Sequence, residues 1–451
     1  MSVSLKRYMK VTALLSVTAL GLSACGGTPT ETTSPDAGTS APATSAPASP
    51  EAPAEKVELQ YLHRLPDGEG MTAVADIVAK WNAENPNIQV TSTKFDGKAQ
   101  EMITKLETDV KANNAPCLAQ LGYGEVPELF VKGLVEDVTA EADKYRDQFG
   151  GAFDQMSVGG VTVGLPQDSG PLVYMYNEAE FQKLGIEVPT TDAELVAAAA
   201  KAAAAGKYAA VFTPDEAQNW LSGQAAGAGA NWFSAENDQW KVDTTDAGTA
   251  AVAEMWQSML DAKSALVVNR WSEQWDAAIL DGSIIGHVAA AWETGFALDS
   301  LDGTPFEGQW RVAQLPAIGG SAKTGPDGGS GVAIMKGCAN PAEAMQFNAW
   351  FNTQVDDLAS QGLVPAATKA ASTPEKVSRQ FGGQDVMAEL VTANENTNAV
   401  NYIPGFSAVG PKMNETAAAV GAGSAKVSDI FVAASDASIA ALEDAGLPVA
   451  K

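Results

Sequence analysis

The stretch GGVTVGLPQDSGPLVYMYNEAEFQKLGIEVPTT, residues Gly159 to Thr191, decides the fold. Pro166 and Pro171 exclude a helix between them, because proline lacks a backbone N–H and also restricts the residue that precedes it. Alternate large side chains across residues 172–176 predict a strand, and Asn177 can cap the helix that follows. We therefore predict that the chain crosses here between two lobes, and clefts between lobes are common ligand sites.

The sequence before this crossing predicts strands and helices in alternation. The apolar spacing gives strand, helix, strand and helix in the order 57–61, 71–81, 88–90 and 99–110. This alternation predicts a largely parallel sheet whose ligand-facing loops lie at the carboxyl ends of its strands. Those loops are residues 63–70 and 122–127. After the crossing, an alanine-rich helix is expected to begin at a Thr191 cap.

The body of the chain, residues 57–451, is too long for one compact core and suits two lobes. The formal charge of the whole chain is −27, and it becomes −30 when a leader containing Lys6, Arg7 and Lys10 is removed. So acidic a body repels phosphate backbones and anionic headgroups. Nucleic acid is therefore not an expected partner.

The first 24 residues are typical of a lipoprotein signal peptide. Basic residues precede an apolar run from Val11 to Leu22, and Leu22-Ser23-Ala24-Cys25 resembles a lipidation site. Cys25 would then carry lipid and hold the protein on the outer face of a membrane. An ordinary signal peptide with free secretion is the alternative. Residues 25–56 are rich in Thr, Ser, Pro and Ala without an aromatic residue, which predicts a disordered tether.

Two further cysteines, Cys117 and Cys338, remain after Cys25. An even pair in an exported chain favours one disulfide bond, while two separate buried thiols are the alternative. His63 and His287 do not combine with these cysteines at the spacing of a zinc site, so no metal is expected.

Three ordered blocks carry a family resemblance. GLPQDSGPLVYMYNEAEFQKLGIEVPTTDAEL, from Gly164, resembles the first crossover of the extracellular solute-binding proteins of sugar-type ABC importers, the maltose-binding-protein-like group. LDGSIIGHVAAAW, from Leu280, and GGSGVAIMKGCANPAEAMQFNAWF, from Gly328, resemble the second and third blocks of that family in the same order. The similarity extends over residues 57–451.

The resemblance implies an α/β fold of the two-lobe, class II-like periplasmic-binding type, with mixed sheets flanked by helices and hinged by crossover strands. Lobe 1 would comprise residues 57–167 and 318–362, and lobe 2 residues 168–317 and 363–451. Cys117 and Cys338 would both fall in lobe 1. The implied function is capture of a mono- or oligosaccharide by hinge closure and its delivery to the transmembrane subunits of an ABC importer, by a monomer without cofactor.

A neutral, polyhydroxylated ligand needs flat aromatic faces and side-chain carboxylates or amides that bond its hydroxyl groups. Residues at predicted strand ends and in the matching blocks meet this need. The candidates are Arg64, Tyr123, Asp168, Trp232, Trp271, Trp292, Glu293, Gly329, Ser330 and Tyr402. For Trp232 and Trp271, packing in the core is an equal alternative, and Asp168 could instead cap a turn.

Two other functions are kept as alternatives. One is the same fold with a polyamine, osmolyte or peptide as ligand, since an acidic cleft with tryptophans also suits cations. The other is a secreted carbohydrate-active enzyme. No motif singles out a pair of catalytic carboxylates, a nucleophile beside His63 or His287, or a phosphate-binding GxxxxGK loop, so an enzyme is not expected.

Overall fold

The computed structural model describes residues 56–450, which begin with strands and helices in alternation. The signal peptide, Cys25 and almost all of the predicted tether lie outside the described residues. The fifteen strands of the described part are β1 Val57–His63, β2 Ile88–Lys94, β3 Leu118–Gly122, β4 Ser157–Val158, β5 Val161–Thr162, β6 Gly164–Ser169, β7 Leu172–Asn177, β8 Val211–Phe212, β9 Phe233–Glu236, β10 Gln239–Val242, β11 Leu266–Val267, β12 Gly286–Ala290, β13 Trp310–Gln314, β14 Ser330–Ile334 and β15 Val364–Pro365.

The α-helices pack on both sides of these strands. In chain order they are α1 Val74–Glu84, α2 Ala99–Lys111, α3 Val126–Val131, α4 Thr139–Ala142, α5 Glu178–Leu184, α6 Asp192–Ala204, α7 Ala217–Gly227, α8 Ala247–Asp261, α9 Glu273–Leu280, α10 Pro341–Asn352, α11 Val355–Ser360, α12 Glu375–Gln380, α13 Val386–Glu395, α14 Val409–Gly421 and α15 Val427–Asp444. Short 3-10 turns join some of them, among them residues 291–295 directly after β12.

The larger sheet has six strands in the order β15-β6-β14-β3-β1-β2. β1 runs parallel to β2 and β3, as the alternation of strands and helices predicts. β14 runs antiparallel to β3 and β6, and β15 runs antiparallel to β6. The sheet is therefore mixed and not largely parallel, because β14 and β15 enter it from the distant second half of the chain.

The second sheet has β7 at its centre, with β12 and β13 antiparallel on either side. Gly170 and Pro171 separate β6 of the larger sheet from β7 of the smaller one, so the chain does pass from one sheet to the other at the predicted crossing. It returns between β13 and β14. The α/β fold of the two-lobe type is confirmed, whereas the exact lobe boundaries stay a prediction.

Two helix starts match the sequence patterns. Asn177 Oδ1 accepts a hydrogen bond from Glu180 N at the start of α5, and Thr191 Oγ1 accepts one from Glu194 N at the start of α6. Helix α1 begins at Val74 instead of Met71, and the backbone N of Val74 donates a 2.9 Å hydrogen bond to Asp67 Oδ1.

A disulfide bond joins Cys117 and Cys338. The register of the larger sheet explains this pairing. Ile334 of β14 lies opposite Leu118 of β3, and Met335 N donates to Cys117 O across 2.9 Å. The residues just before β3 and just after β14 are therefore neighbours.

Candidate functional site

A cavity in the described part of the chain has a volume of about 580 Å³, within the range of small-molecule sites. It lies where the crossing segments meet elements of both halves of the fold. Its walls are Tyr123, residues 149–152 and Gln155; Ser169, Gly170, Pro326 and Gly328; residues 364–371; and Met387, Val391, Asn394, Glu395, residues 397–400 and Tyr402.

A second cavity of about 360 Å³ adjoins the first. The two share Tyr123, Gln155, Ala399, Val400 and Tyr402. The second cavity extends between residues 154–159 and the hairpin that carries Trp240. Tyr123 and Tyr402 therefore lie at the middle of one continuous cleft.

Tyr123 is held by its hydroxyl and by its ring. The hydroxyl donates a 2.8 Å hydrogen bond to the backbone O of Asp168, and burial raises the pKa of Tyr123 well above its usual value. Its ring packs directly on Gly329, where an added Cβ would lie 2.9 Å from Tyr123 Cε2 and the φ angle is +91°. The close approach and the left-handed backbone both require glycine at this position.

A buried polar group lies directly beneath Tyr123. Asp168 accepts a hydrogen bond from Ser330 Oγ, and Gln120 Nε2 donates to Gln167 Oε1 at 2.9 Å and to Ser330 Oγ at 3.1 Å. The strand pairing brings them together, because β14 lies between β3 and β6. Burial raises the pKa of the Asp168 carboxyl from 3.8 to about 6, although its hydrogen bonds from Ser330 and the charge of Arg64 act to lower it.

Asp168→Asn is expected to raise the free energy of unfolding by roughly 2–3 kcal/mol at pH 7 and by little at pH 4. A carboxyl whose pKa is raised by folding binds its proton more tightly in the folded state. Its contribution to stability is full below the unfolded pKa and is lost as the pH rises through about 6. Chemical denaturation across this range, measured as the difference between variant and wild type, checks the expectation.

The matched control for this measurement is Asp96→Asn, since the Asp96 side chain is 85% exposed. It should follow the wild-type pH dependence. A difference between Asp168→Asn and wild type that stays constant from pH 4 to pH 7 would contradict the prediction.

Of the ten candidates from the sequence, Tyr123 and Tyr402 line the cavity, and Asp168, Gly329 and Ser330 lie beneath it. The other five do not line either of the two cavities described above. Arg64 makes a two-point ion pair with Glu125, at 3.0 and 3.1 Å. Its guanidinium is therefore already engaged within the first half of the chain.

Trp232 and Glu293 point into the interior, contrary to their interpretation as ligand contacts. Trp232 is buried, and its indole N–H donates a 2.8 Å hydrogen bond to Thr249 Oγ1. Glu293 is fully buried and pairs with Arg270 at 3.1 Å. The glycine and polar residues that follow β12 do signal a turn, but the Glu293 side chain turns inward because Arg270 lies behind it.

Trp271 and Trp292 form a half-buried aromatic group with Phe296. The ring centroids of Trp292 and Phe296 are 5.9 Å apart and nearly parallel, and those of Trp271 and Phe296 are 5.1 Å apart. Trp292 Nε1 donates to the backbone O of Asp327 across 2.8 Å. Trp292 therefore packs against the backbone of the crossing segment that carries Gly328.

Sequence reasoning missed most of the remaining wall. Ala366 to Ala371 follow β15, Asn394 and Glu395 end α13, and residues 397–400 follow that helix. The small side chains of the first stretch carry no chemical signal in the sequence. Asn394 and Asn398 could have been noticed as two amides at the end of a helix and in the loop after it.

The charges on the cavity wall are balanced. Lys369 and Glu395 are its only charged residues among those described, although the chain as a whole is strongly acidic. The wall otherwise combines aromatic rings, amides and small apolar side chains. Such a surface suits a neutral ligand with apolar faces and hydroxyl groups better than a polycation.

Residues 56–450 contain neither a metal-binding cluster nor a membrane-spanning helix. No group of three or more His, Cys, Asp or Glu side chains there is arranged to hold a metal ion. No helix in the same range is long and apolar enough to cross a bilayer. His63 is the last residue of β1, where burial lowers its pKa to about 4, and His287 is packed within β12.

Comparison with known proteins gives a family match. The family profile of the bacterial extracellular solute-binding proteins matches residues 66–354. A search of curated proteins returned no match. The galacto-N-biose/lacto-N-biose I-binding protein of an ABC transporter from Bifidobacterium longum, solved with lacto-N-biose, is 55% identical, with 88% of this chain and 99% of that chain covered and a TM-score of 0.85.

Two more distant structures share the fold. An ABC transporter associated binding protein from B. animalis subsp. lactis, solved with β-1,6-galactobiose, is 23% identical over 88% of this chain and 100% of its own, with a TM-score of 0.74. The sugar-binding protein MalE from Xanthomonas citri is 17% identical over 86% of this chain and 98% of its own, with a TM-score of 0.70.

Proposed function

The chain belongs to the bacterial extracellular solute-binding protein family, and from that premise we propose that its cavity captures a neutral disaccharide or short oligosaccharide for an ABC importer. The observation that carries the proposal is the cavity of about 580 Å³, whose walls come from both halves of the fold and from the segments that cross between them. A ligand there touches both halves at once.

We propose a ligand of the lacto-N-biose class. The relative solved with that sugar is 55% identical over 88% of this chain. The rings of Tyr123 and Tyr402 offer flat faces for the apolar side of a sugar ring, and Gln155, Asn394 and Asn398 offer amides for its hydroxyl groups. The balanced charge of the wall favours such a ligand over a polyamine.

Hinge closure is the proposed mechanism of capture. A ligand that contacts both halves stabilises the closed arrangement by its higher affinity for that state. The segments that would bend are those around Gly170 and residues 326–329, which connect the two main sheets, and residues 362–364, which lead into β15. The importer subunits would then bind the closed form.

The proposal includes a lipid anchor at Cys25 and a monomeric protein without cofactor. Lipid on Cys25 would hold the protein at the outer face of the membrane, with residues 25–56 as its tether. The protein would act as a monomer, would need no cofactor and would release its sugar unchanged.

Isothermal titration of the purified mature protein tests the proposed function. The panel comprises lacto-N-biose, galacto-N-biose, β-1,6-galactobiose and maltose as sugars, with spermidine and betaine as non-sugar ligands. We expect saturable binding of at least one of the two biose sugars and no heat from spermidine or betaine. Tight binding of spermidine or betaine with no response to any sugar would overturn the proposal.

The enzyme alternative needs a separate measurement. Sugar recovered from the complex after prolonged incubation should have an unchanged mass and glycosidic linkage. Conversion that increases with protein concentration would show that the chain is a carbohydrate-active enzyme.

A further inference from the structure

A fully buried ion cluster lies behind the cavity wall, and the proposed function leaves it unused. At its centre is Arg270, whose side chain is only 1% exposed. Its Nη1 lies 3.1 Å from Glu293 Oε1, and both Nη1 and Nη2 lie 3.2 Å from Asp327 Oδ2. One guanidinium therefore engages two carboxylates from different parts of the chain.

The two carboxylates belong to segments that meet at the cavity. Asp327 lies between Pro326 and Gly328, which both line it, and this stretch, residues 326–328, is called the wall segment below. Glu293 lies in the turn after β12 and is the neighbour of Trp292. Arg270 itself comes from a third element, the loop between β11 and α9.

Every polar group of Asp327 is engaged. Its backbone N donates to Gly170 O across 2.7 Å, its backbone O accepts from Trp292 Nε1 across 2.8 Å, and its carboxylate pairs with Arg270. Gly170 also lines the cavity. The position of the wall segment thus depends on one backbone contact to the first crossing, one to Trp292, and the ion pair.

A contribution to the free energy of folding alone does not explain the buried ion cluster. Burial raises the pKa of Asp327 and that of Glu216, which faces the same guanidinium and reaches about 7. Glu293 keeps a lowered pKa against its own burial because of Arg270 and His287, whose Nε2 lies 3.5 Å from its Oε2. Buried pairs of this kind often contribute little net stability, because desolvation of the charges offsets their attraction.

The guanidinium of Arg270 can instead fix the positions of its two partners relative to each other. The planar guanidinium presents several donors in one plane, so it can hold two acceptors at a set separation. We propose that Arg270 is a positioning residue of the sugar site: by pairing with Asp327 and Glu293 together, it fixes the wall segment against the turn that carries Trp292. This inference rests on the proposed function, because the affinity that it controls is that for the sugar.

Two variants separate positioning from folding. Arg270→Met leaves two buried carboxylates without a partner and can prevent folding, so it does not decide the question. The triple variant Arg270→Met, Glu293→Gln, Asp327→Asn keeps similar shapes and removes the charges of the three paired groups. Arg270→Lys keeps the charge but replaces the planar guanidinium with a single ammonium group. The matched control is Arg311→Met, because Arg311 pairs with Glu178 at the end of β13 far from the crossing segments.

The first readout is sugar affinity in folded protein. Arg270→Lys and the triple variant are expected to bind lacto-N-biose about tenfold more weakly than wild type, while melting near the wild-type temperature. Arg311→Met is expected to bind as wild type does. Wild-type affinity in the folded triple variant would overturn the inference, since Arg270 would then act only in structure.

The second readout needs no sugar. The ¹⁵N–¹H indole resonance of Trp292 reports on its hydrogen bond to Asp327, so it should shift in Arg270→Lys and in the triple variant but not in Arg311→Met. An unmoved resonance in both would also overturn the inference. If wild-type protein bound none of the sugars, the proposed function would fail, and the indole resonance would still decide whether Arg270 positions the wall segment.

Discussion

Replacing Tyr402 with alanine is expected to weaken sugar binding by about 3 kcal/mol, roughly 100-fold. Tyr402 lines both parts of the cleft, so its ring is available to a ligand wherever the ligand lies along it. The ring is also held in place, with its centroid 5.0 Å from that of Phe406. A fixed aromatic face at the centre of a cleft has the features of a binding hot spot. Titration with lacto-N-biose measures the effect.

Two matched variants show whether the ring is responsible. Tyr402→Phe keeps the aromatic face and loses only the hydroxyl, so its affinity should stay within about 1 kcal/mol of wild type. Tyr176→Ala removes a half-buried tyrosine from β7, at the end opposite to the crossing, and should leave affinity unchanged. If Tyr402→Ala and Tyr176→Ala bound lacto-N-biose equally tightly, the Tyr402 ring would contribute nothing to the affinity despite its central position.

The crossing at residues 164–172 was predictable because local chemistry dictates it. Pro166 and Pro171 forbid a helix, and Asn177 caps the next one, whatever the rest of the chain does. The strand and helix alternation of the first half was predictable for the same reason. The antiparallel entry of β14 and β15 was not, since sheet order depends on pairing between residues far apart in the chain.

The candidate site was predicted less completely than the fold. Tyr123, Asp168, Gly329 and Ser330 could be predicted to lie close together because strand ends of one sheet gather at one edge; their contact with a ligand stays a prediction. Glu293 was misplaced because the direction of a side chain after a strand depends on its tertiary partner, here Arg270. Arg270 itself carries no local signal, since a single arginine in a loop is ordinary in any sequence.

The alanines of residues 366–371 show a second kind of limit. A cavity wall needs small side chains where the ligand must fit, and small side chains have no distinctive pattern. Such residues form a site by the space that they leave free. That space exists only once both halves of the chain are in place.

The second large effect is expected at Gly362, which lies just before β15. Gly362 has a φ angle of +85°, and an added Cβ would lie 2.8 Å from the backbone O of Trp292 and 3.2 Å from Gly295 Cα. Gly362→Ala should therefore lower the free energy of unfolding by about 3–5 kcal/mol, from left-handed strain and from overpacking together. The contact is with backbone, so a change of rotamer cannot relieve it.

Gly383 separates the two causes. Its φ angle is also +85°, but an added Cβ there would have no atom within 4 Å. Gly383→Ala should therefore cost only the left-handed strain, about 1–2 kcal/mol. Chemical denaturation of both variants gives the cost of the close contact by difference. Equal losses at the two positions would mean that the turn after β12 moves away freely from Gly362. The close packing between them would then not constrain this part of the fold.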